Sequence, residues 1–299
     1  MRTKGQSTIV TYRALRMGVV AAALLLMVSL VGEVIRVHGL VLTSISASFY
    51  SPVRNVFVGV LVATGMALIA IMGREKGEDE ALNLAGMLAP TIGMLPTTVG
   101  PSAPGACREG VSRCIPAATL VDVENNVGSL LVLGLVVLAG ALVYVLRTYG
   151  GRSLQLRQWA LPAGVWIVSA AAWIFARGLV LAHGHNVAAF FFFLLLAYVA
   201  HINAQDPPEG PTVKRLTPRG YQRWYRLISA AMTVTIVLTA AYTIAILVRW
   251  LPDSYPQWFF VAESVLLVLF VAFWALQTMH FWHEGVPDGL DGDPEDATT

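Results

Sequence analysis

Between residues 17 and 37 the chain reads MGVVAAALLLMVSLVGEVIRV, with only Glu33 and Arg36 charged. A helix of this kind can cross a hydrocarbon core of about 30 Å, which takes roughly 20 mostly apolar residues. Further stretches meet the same test, within a few residues at each end, at 54–73, 81–98, 124–146, 159–181, 186–204, 227–249 and 257–279. Strand-period alternation is absent, which disfavours a β-barrel. The expected fold is therefore all-α, a polytopic transmembrane bundle of about eight spans. The stretch at 81–98 is the weakest of them. Polar Asn83 lies near its start, and Pro90 and Pro96 interrupt it, so neighbouring helices must satisfy the backbone groups that proline frees.

Composition removes other classes. Hydrophobic residues make up 56% of the chain and charged residues 13%, against roughly 25% charged in an average soluble protein. A disordered or fibrous chain would lack this apolar content. A net charge of +2 leaves no basic face for phosphates, so nucleic acid is not an expected partner.

The basic residues set a direction. With the N-terminus inside, the cytoplasmic segments hold Arg2, Lys4, Arg13, Arg16, Arg74, Lys76, Arg147, Arg152, Arg157, Lys214, Arg215, Arg219, Arg223 and Arg226. Arg36, Arg54, Arg108, Arg113, Arg177 and Arg249 fall in outer loops or outer span ends. That excess predicts both termini in the cytoplasm, in a plasma membrane, and an even number of spans agrees with it. Cys107 and Cys114 then share the long outer loop 99–123, where a disulfide between them can persist. Two unpaired thiols are the alternative. Met17 to Gly32 behind a basic N-terminus imitates a signal peptide, but Glu33, Arg36 and His38 follow it in place of a small-residue cleavage site, so the expectation is an uncleaved first span. Residues 1–283 read as one transmembrane domain. Residues 284–299, acidic and without a base, read as a solvated tail.

Ionisable groups inside a span cost several kcal/mol unless paired or hydrated, so their positions carry information. Glu33 and Arg36 sit three apart near the outer end of the first span and can pair on one helical face. Arg54 opens the second span; Asp122, Glu124, Asn125 and Asn126 open the fourth. Arg177 lies four residues before the end of the fifth, His183 and His185 flank the turn into the sixth, and Glu263 lies six residues into the eighth. All fall in the outer half. The inner half offers His201, Gln277 and His280, and the middle is nearly free of charge. An ion-coupled transporter would place ionisable groups at mid-depth, so this distribution favours a polar cavity opening outward. Helix-fixing ion pairs, Glu33 with Arg36 and Glu124 or Glu263 with Arg177, are the competing reading. The loop from Thr43 to Asn55 is rich in hydroxyls and includes Arg54, a set suited to an anionic or polyhydroxyl head group; ordinary turn formation explains it equally.

The segment Ser46-Ala-Ser-Phe-Tyr-Ser-Pro-Val-Arg-Asn-Val-Phe-Val-Gly59 resembles a signature of an uncharacterised family of bacterial multi-pass membrane proteins. Asn83-Leu-Ala-Gly86, Leu95-Pro-Thr97, His185 ahead of Ala188, Ala189 and Phe190–Phe193, and Trp258 to Glu263 are similar to further segments of that family. The usual Asp after the arginine is Asn55 here. The resemblance implies a membrane location and no defined activity. A more distant similarity to DRAM-like and Sfk-like membrane proteins implies association with lipids.

The histidine spacings bear on zinc and haem as cofactors. Ceramidase-like hydrolases hold zinc with three histidines, a serine and an aspartate, including an H-x(3)-H pair. Here the spacings are H-x-H at 183/185 and H-x(2)-H at 280/283, on opposite sides of the expected topology, so neither metal nor other cofactor is expected. His201 and His280 share a depth suited to axial haem ligands, but no second pair accompanies them.

The leading expectation is thus a binding protein whose partners are membrane lipids. Its outer cavity would hold a lipid head group or small polar ligand, with Arg54 and Arg177 supplying charge, Ser46, Tyr50 and Asn125 hydrogen bonds, Glu124 a further polar group, and His185 with Glu263 a pair. One alternative is an outer-leaflet hydrolase or transferase, with His185 as base, Glu263 or Glu124 orienting it and Ser46 or Ser48 as nucleophile. Another is an accessory subunit whose polar residues only hold the bundle together, small residues such as Gly134, Gly140 and Ala170 easing close helix approach.

Overall fold

The computed structural model describes residues 4–39, 42–100, 113–149, 153–205, 217–248, 250 and 257–282. Among them are eight α-helices: α1 Lys4–Arg36, α2 Arg54–Ala70, α3 Lys76–Met94, α4 Ala117–Tyr149, α5 Ser153–Phe175, α6 Arg177–Gln205, α7 Pro218–Leu247 and α8 Trp258–His280. A 3-10 turn, Ser46–Tyr50, precedes α2. The only β feature among the described residues is an isolated antiparallel bridge between Val99 and Cys114. The fold is an all-α helical bundle. α1, α4, α6, α7 and α8 are long and apolar enough to cross a membrane, and α2 and Trp159–Phe175 are shorter apolar helices. These lengths mark a membrane protein.

Every apolar stretch falls on a helix, but three boundaries differ for local reasons. α3 stops at Met94, because Leu95 precedes Pro96 and takes extended angles (φ −105°, ψ 100°), as the residue before proline must. α4 starts at Ala117, so Asp122 to Asn126 lie in its second and third turns. The break between α5 and α6 comes at Ala176, earlier than the expected turn near His183 and His185. Arg177, His183 and His185 all belong to α6. The apolar run resumes after Arg177 and Gly178, so hydropathy does not reveal that break.

Six helices form a closed ring. α1, α2, α3, α6, α7 and α8 touch in that order, and α8 returns to α1. Its core includes Leu68, Leu82, Leu196, Met232, Phe273 and Trp274, all with no exposed surface. The α4–α5 hairpin lies outside this ring against α3 and α6.

Two close approaches set the helix packing. A Cβ on Gly65 would lie 2.6 Å from the Gly86 carbonyl oxygen and 2.7 Å from the Pro90 ring. Pro90 has no N–H to give that carbonyl, which lies against Gly65 on α2 instead. In the hairpin, a Cβ on Gly134 would lie 2.6 Å from the Trp166 ring. The indoles of Trp166 and Trp159 donate to the Leu131 and Leu138 carbonyls at 2.9 Å, giving each buried N–H the partner that an apolar medium withholds.

Candidate ligand cavity

A cavity of about 430 Å³ lies inside the ring and is bounded by all six of its helices. It follows α8 from Phe259 to Phe270, a depth of about 16 Å at roughly 1.5 Å rise per residue. Its walls are chiefly Phe, Leu, Ile, Val and Ala. Val187, Phe190 and Phe191 on α6 and Ile244 on α7, all in its lining, are exposed. The cavity is therefore open where these residues of α6 and α7 line it. The hydroxyls of Thr239 and Thr243, also in its wall, each donate at 2.8 Å to carbonyls one turn back. That leaves the α7 wall effectively apolar.

Polarity is concentrated at one end. Glu263 accepts from the Ser46 backbone N–H and from its hydroxyl, both at 3.0 Å. The Thr43 carbonyl accepts from Phe260 N–H at 3.1 Å, so the loop before the 3-10 turn is docked onto the start of α8. His185, 4% exposed, is held by a 2.7 Å hydrogen bond between Nδ1 and the Leu95 carbonyl. A carbonyl can only accept, so Nδ1 carries the proton and Nε2 is left as an acceptor. Nε2 is buried and has no partner among the described residues. The extended Leu95, a consequence of Pro96, presents the carbonyl that fixes this ring.

Of the residues singled out in the sequence, Ser46, His185 and Glu263 line this cavity, but the expected pairing of His185 with Glu263 is replaced by bonds of His185 to Leu95 and of Glu263 to Ser46. The others lie outside its lining. Tyr50 donates to the Thr97 carbonyl at 2.9 Å, and burial raises its phenol above the ordinary range. Arg54 pairs with Asp122 at 2.9 Å and lies 4.2 Å over the Phe49 ring. Arg177 pairs with Glu124 and lies 5.1 Å over Trp173. Asn125 is exposed on α4. Both arginines thus tie the α4 hairpin, one to the start of α2 and one to the start of α6. Glu33 and Arg36 pair at 2.6 Å. Ser48 is fully buried, and its hydroxyl has no partner among the described residues. Cys107 lies outside the described residues; Cys114 bonds through its backbone to Val99.

A second polar cluster occupies the opposite end of the ring, and sequence reasoning missed its centre. Glu78, 2% exposed, accepts from Asn203 Nδ2 at 2.8 Å, from Gln277 Nε2 at 3.1 Å and from the Arg74 backbone N–H at 2.9 Å. This joins the start of α3 to the ends of α6 and α8. Nearby, the Tyr225 hydroxyl and His280 Nδ1 are 3.0 Å apart, Arg13 bonds to the Trp282 carbonyl, and Arg16 to the Phe281 carbonyl at 3.4 Å. Burial is the main influence on the Glu78 carboxyl and raises its pKa; its hydrogen bonds and the Arg16 and Arg74 charges work the other way. Glu78 sits in the charged run Lys76–Glu80, which reads as a loop. Its only signal was position, one residue in a polar stretch directly before an apolar helix.

Among the described residues no group of three His, Cys, Asp or Glu side chains could hold a metal ion. Comparison with protein-family models, with curated proteins and with solved structures finds no match to the chain.

Proposed function

We propose that this is an integral protein of the cell membrane that binds a lipid in its ring cavity, with the lipid's apolar chain inside and its head near Ser46, His185 and Glu263. The observation that carries this reading is the cavity's asymmetry. Its long apolar wall is open where exposed residues of α6 and α7 line it, and Ser46, His185 and Glu263 lie toward one end. In a bilayer such an opening faces acyl chains. A volume of about 430 Å³ falls within the usual range of small-molecule sites. The basic-residue distribution supports eight spans with both termini in the cytoplasm, which puts the polar end on the outer side. A Cys107–Cys114 disulfide is part of this proposal, supported by the Val99–Cys114 bridge at the base of a loop that this topology exposes outside the cell.

The hydrolase or transferase reading has less support, because the Ser46 hydroxyl donates to Glu263 and His185 holds Leu95. Native mass spectrometry of protein extracted gently in detergent tests the proposal. A lipid retained at one copy per chain is the expected result. Replacing Ala240 on the cavity wall by Trp should displace it; equal retention by that variant would contradict the proposal.

A further inference from the structure

We propose that the head group this cavity selects is a hydrogen-bond donor, a hydroxyl or an amine on a long apolar chain, and not a phosphate or carboxylate. The inference rests on the lipid-binding reading above and adds the chemistry of the head.

Three observations converge on it. The Glu263 carboxylate is an acceptor, and Ser46 engages both of its oxygens from one side; a carboxylate offers about four lone-pair positions, so capacity remains. His185 Nε2 is a buried acceptor with its partner nitrogen already committed to Leu95. No Lys or Arg lines the cavity, and Arg54 and Arg177 are engaged with Asp122 and Glu124 outside it. Of the other polar wall groups, the hydroxyls of Thr239 and Thr243 already donate to their own helix, while the Thr64 hydroxyl and the Asn186 amide are uncharged. The cavity therefore offers a ligand the Glu263 and His185 acceptors, neutral polar groups on Asn186 and Thr64, and no cation. An anionic head brought there would find no cation to neutralise its charge, which is strongly unfavourable in a medium of low dielectric. A hydroxyl or amine would give its proton to Glu263 or to His185, satisfying a buried acceptor that otherwise carries a desolvation cost.

The test uses full-length protein in lipid nanodiscs, labelled with a photoreactive dodecanol analogue. Dodecanol, dodecylamine, dodecyl phosphate, dodecanoate and dodecane compete for labelling. Dodecanol or dodecylamine should compete at least about fivefold better than the two anions and than dodecane, consistent with one hydrogen bond to a buried or charged partner. The alcohol and amine arms then tell which donor is preferred. Glu263→Gln keeps the size of the side chain and an acceptor for Ser46 but adds an amide donor; it should reduce the preference for donors over anions by about fivefold or more. His185→Leu should weaken dodecanol about three- to tenfold while leaving dodecane unchanged. Unchanged dodecane competition also reports that a variant is folded. If Glu263→Gln does not fold, Ser46→Ala, which frees a carboxylate oxygen, should retain or strengthen the donor preference. Dodecane competing as well as dodecanol, or dodecyl phosphate competing better, overturns the donor assignment and leaves the cavity reading standing. Failure of every probe to label or compete overturns the cavity reading itself.

Discussion

Ser46 and Glu263, 217 positions apart in the chain, are joined by two hydrogen bonds of 3.0 Å, one from the serine backbone N–H and one from its hydroxyl. This pair fastens the loop before α2 onto the first turns of α8. It also builds the polar end of the cavity. Hydrogen bonds to a charged acceptor contribute about 1.5–3 kcal/mol. Ser46→Ala removes one of the two and should lower stability by about 1–2 kcal/mol. Glu263→Leu removes both and should cost more. In a double-mutant cycle read by thermal unfolding in detergent, the two changes should be clearly non-additive. Additive effects would separate the residues energetically.

The Glu78 cluster makes a different prediction. Glu78→Ala leaves the amides of Asn203 and Gln277 without their shared acceptor and should destabilise the bundle by about 2–3 kcal/mol. The carboxyl's pKa is raised by burial above its ordinary 4.5. Its protonated form is therefore the one the fold favours, and the stability linked to it is full below that ordinary value. This stability is lost as pH rises through the raised value. Melting temperature should fall between acidic and neutral pH, and Glu78→Gln should flatten that part of the slope. A slope unchanged by Glu78→Gln would assign the pH dependence to other groups.

Contact between α2 and α3 depends on missing side chains. Gly65→Ala places a methyl 2.6 Å from the Gly86 carbonyl oxygen and should destabilise by about 1–3 kcal/mol. Gly59→Ala meets nothing within 4 Å and serves as the neutral comparison. Melts of the two variants side by side check this; equal melting temperatures would deny the close approach.

Arg54 and Arg177 serve the hairpin. Their pairs with Asp122 and Glu124 are exposed, and exposed pairs contribute about 0–1 kcal/mol. Arg54→Gln and Arg177→Gln should leave retained lipid unchanged and alter stability only slightly. Loss of lipid in either variant would bring these arginines into the binding site.

Most of the helices were legible in the sequence because they contain long apolar runs, a signal that needs no tertiary information. The break at Ala176 was not, since Arg177 and Gly178 are a brief interruption of a run that is apolar before and after them. Arg54, Arg177 and Glu124 were visible as costly residues, but which acid each arginine meets is a matter of helix order around the ring. The hairpin's place outside that ring, which sends both arginines to α4, has no local signature. Ser46, His185 and Glu263 were visible one by one as polar residues near apolar segments. Their meeting depends on how α6 and α8 face each other, and periodicity does not encode that. Glu78 was hidden for the opposite reason. Its neighbours Lys76, Asp79 and Glu80 make the segment look solvated, while Asn203 and Gln277 arrive from helices far along the chain.

Photolabelling with an alkyl diazirine lipid in nanodiscs, followed by peptide mapping, tests the lipid-binding cavity most directly. The account predicts saturable adducts concentrated on 187–193 of α6, 236–244 of α7 and 259–270 of α8, all abolished by Ala240→Trp. Labelling spread evenly over the exposed apolar faces of α4 and α7, such as Val136, Val143 and Leu227, and unaffected by that substitution, would contradict it.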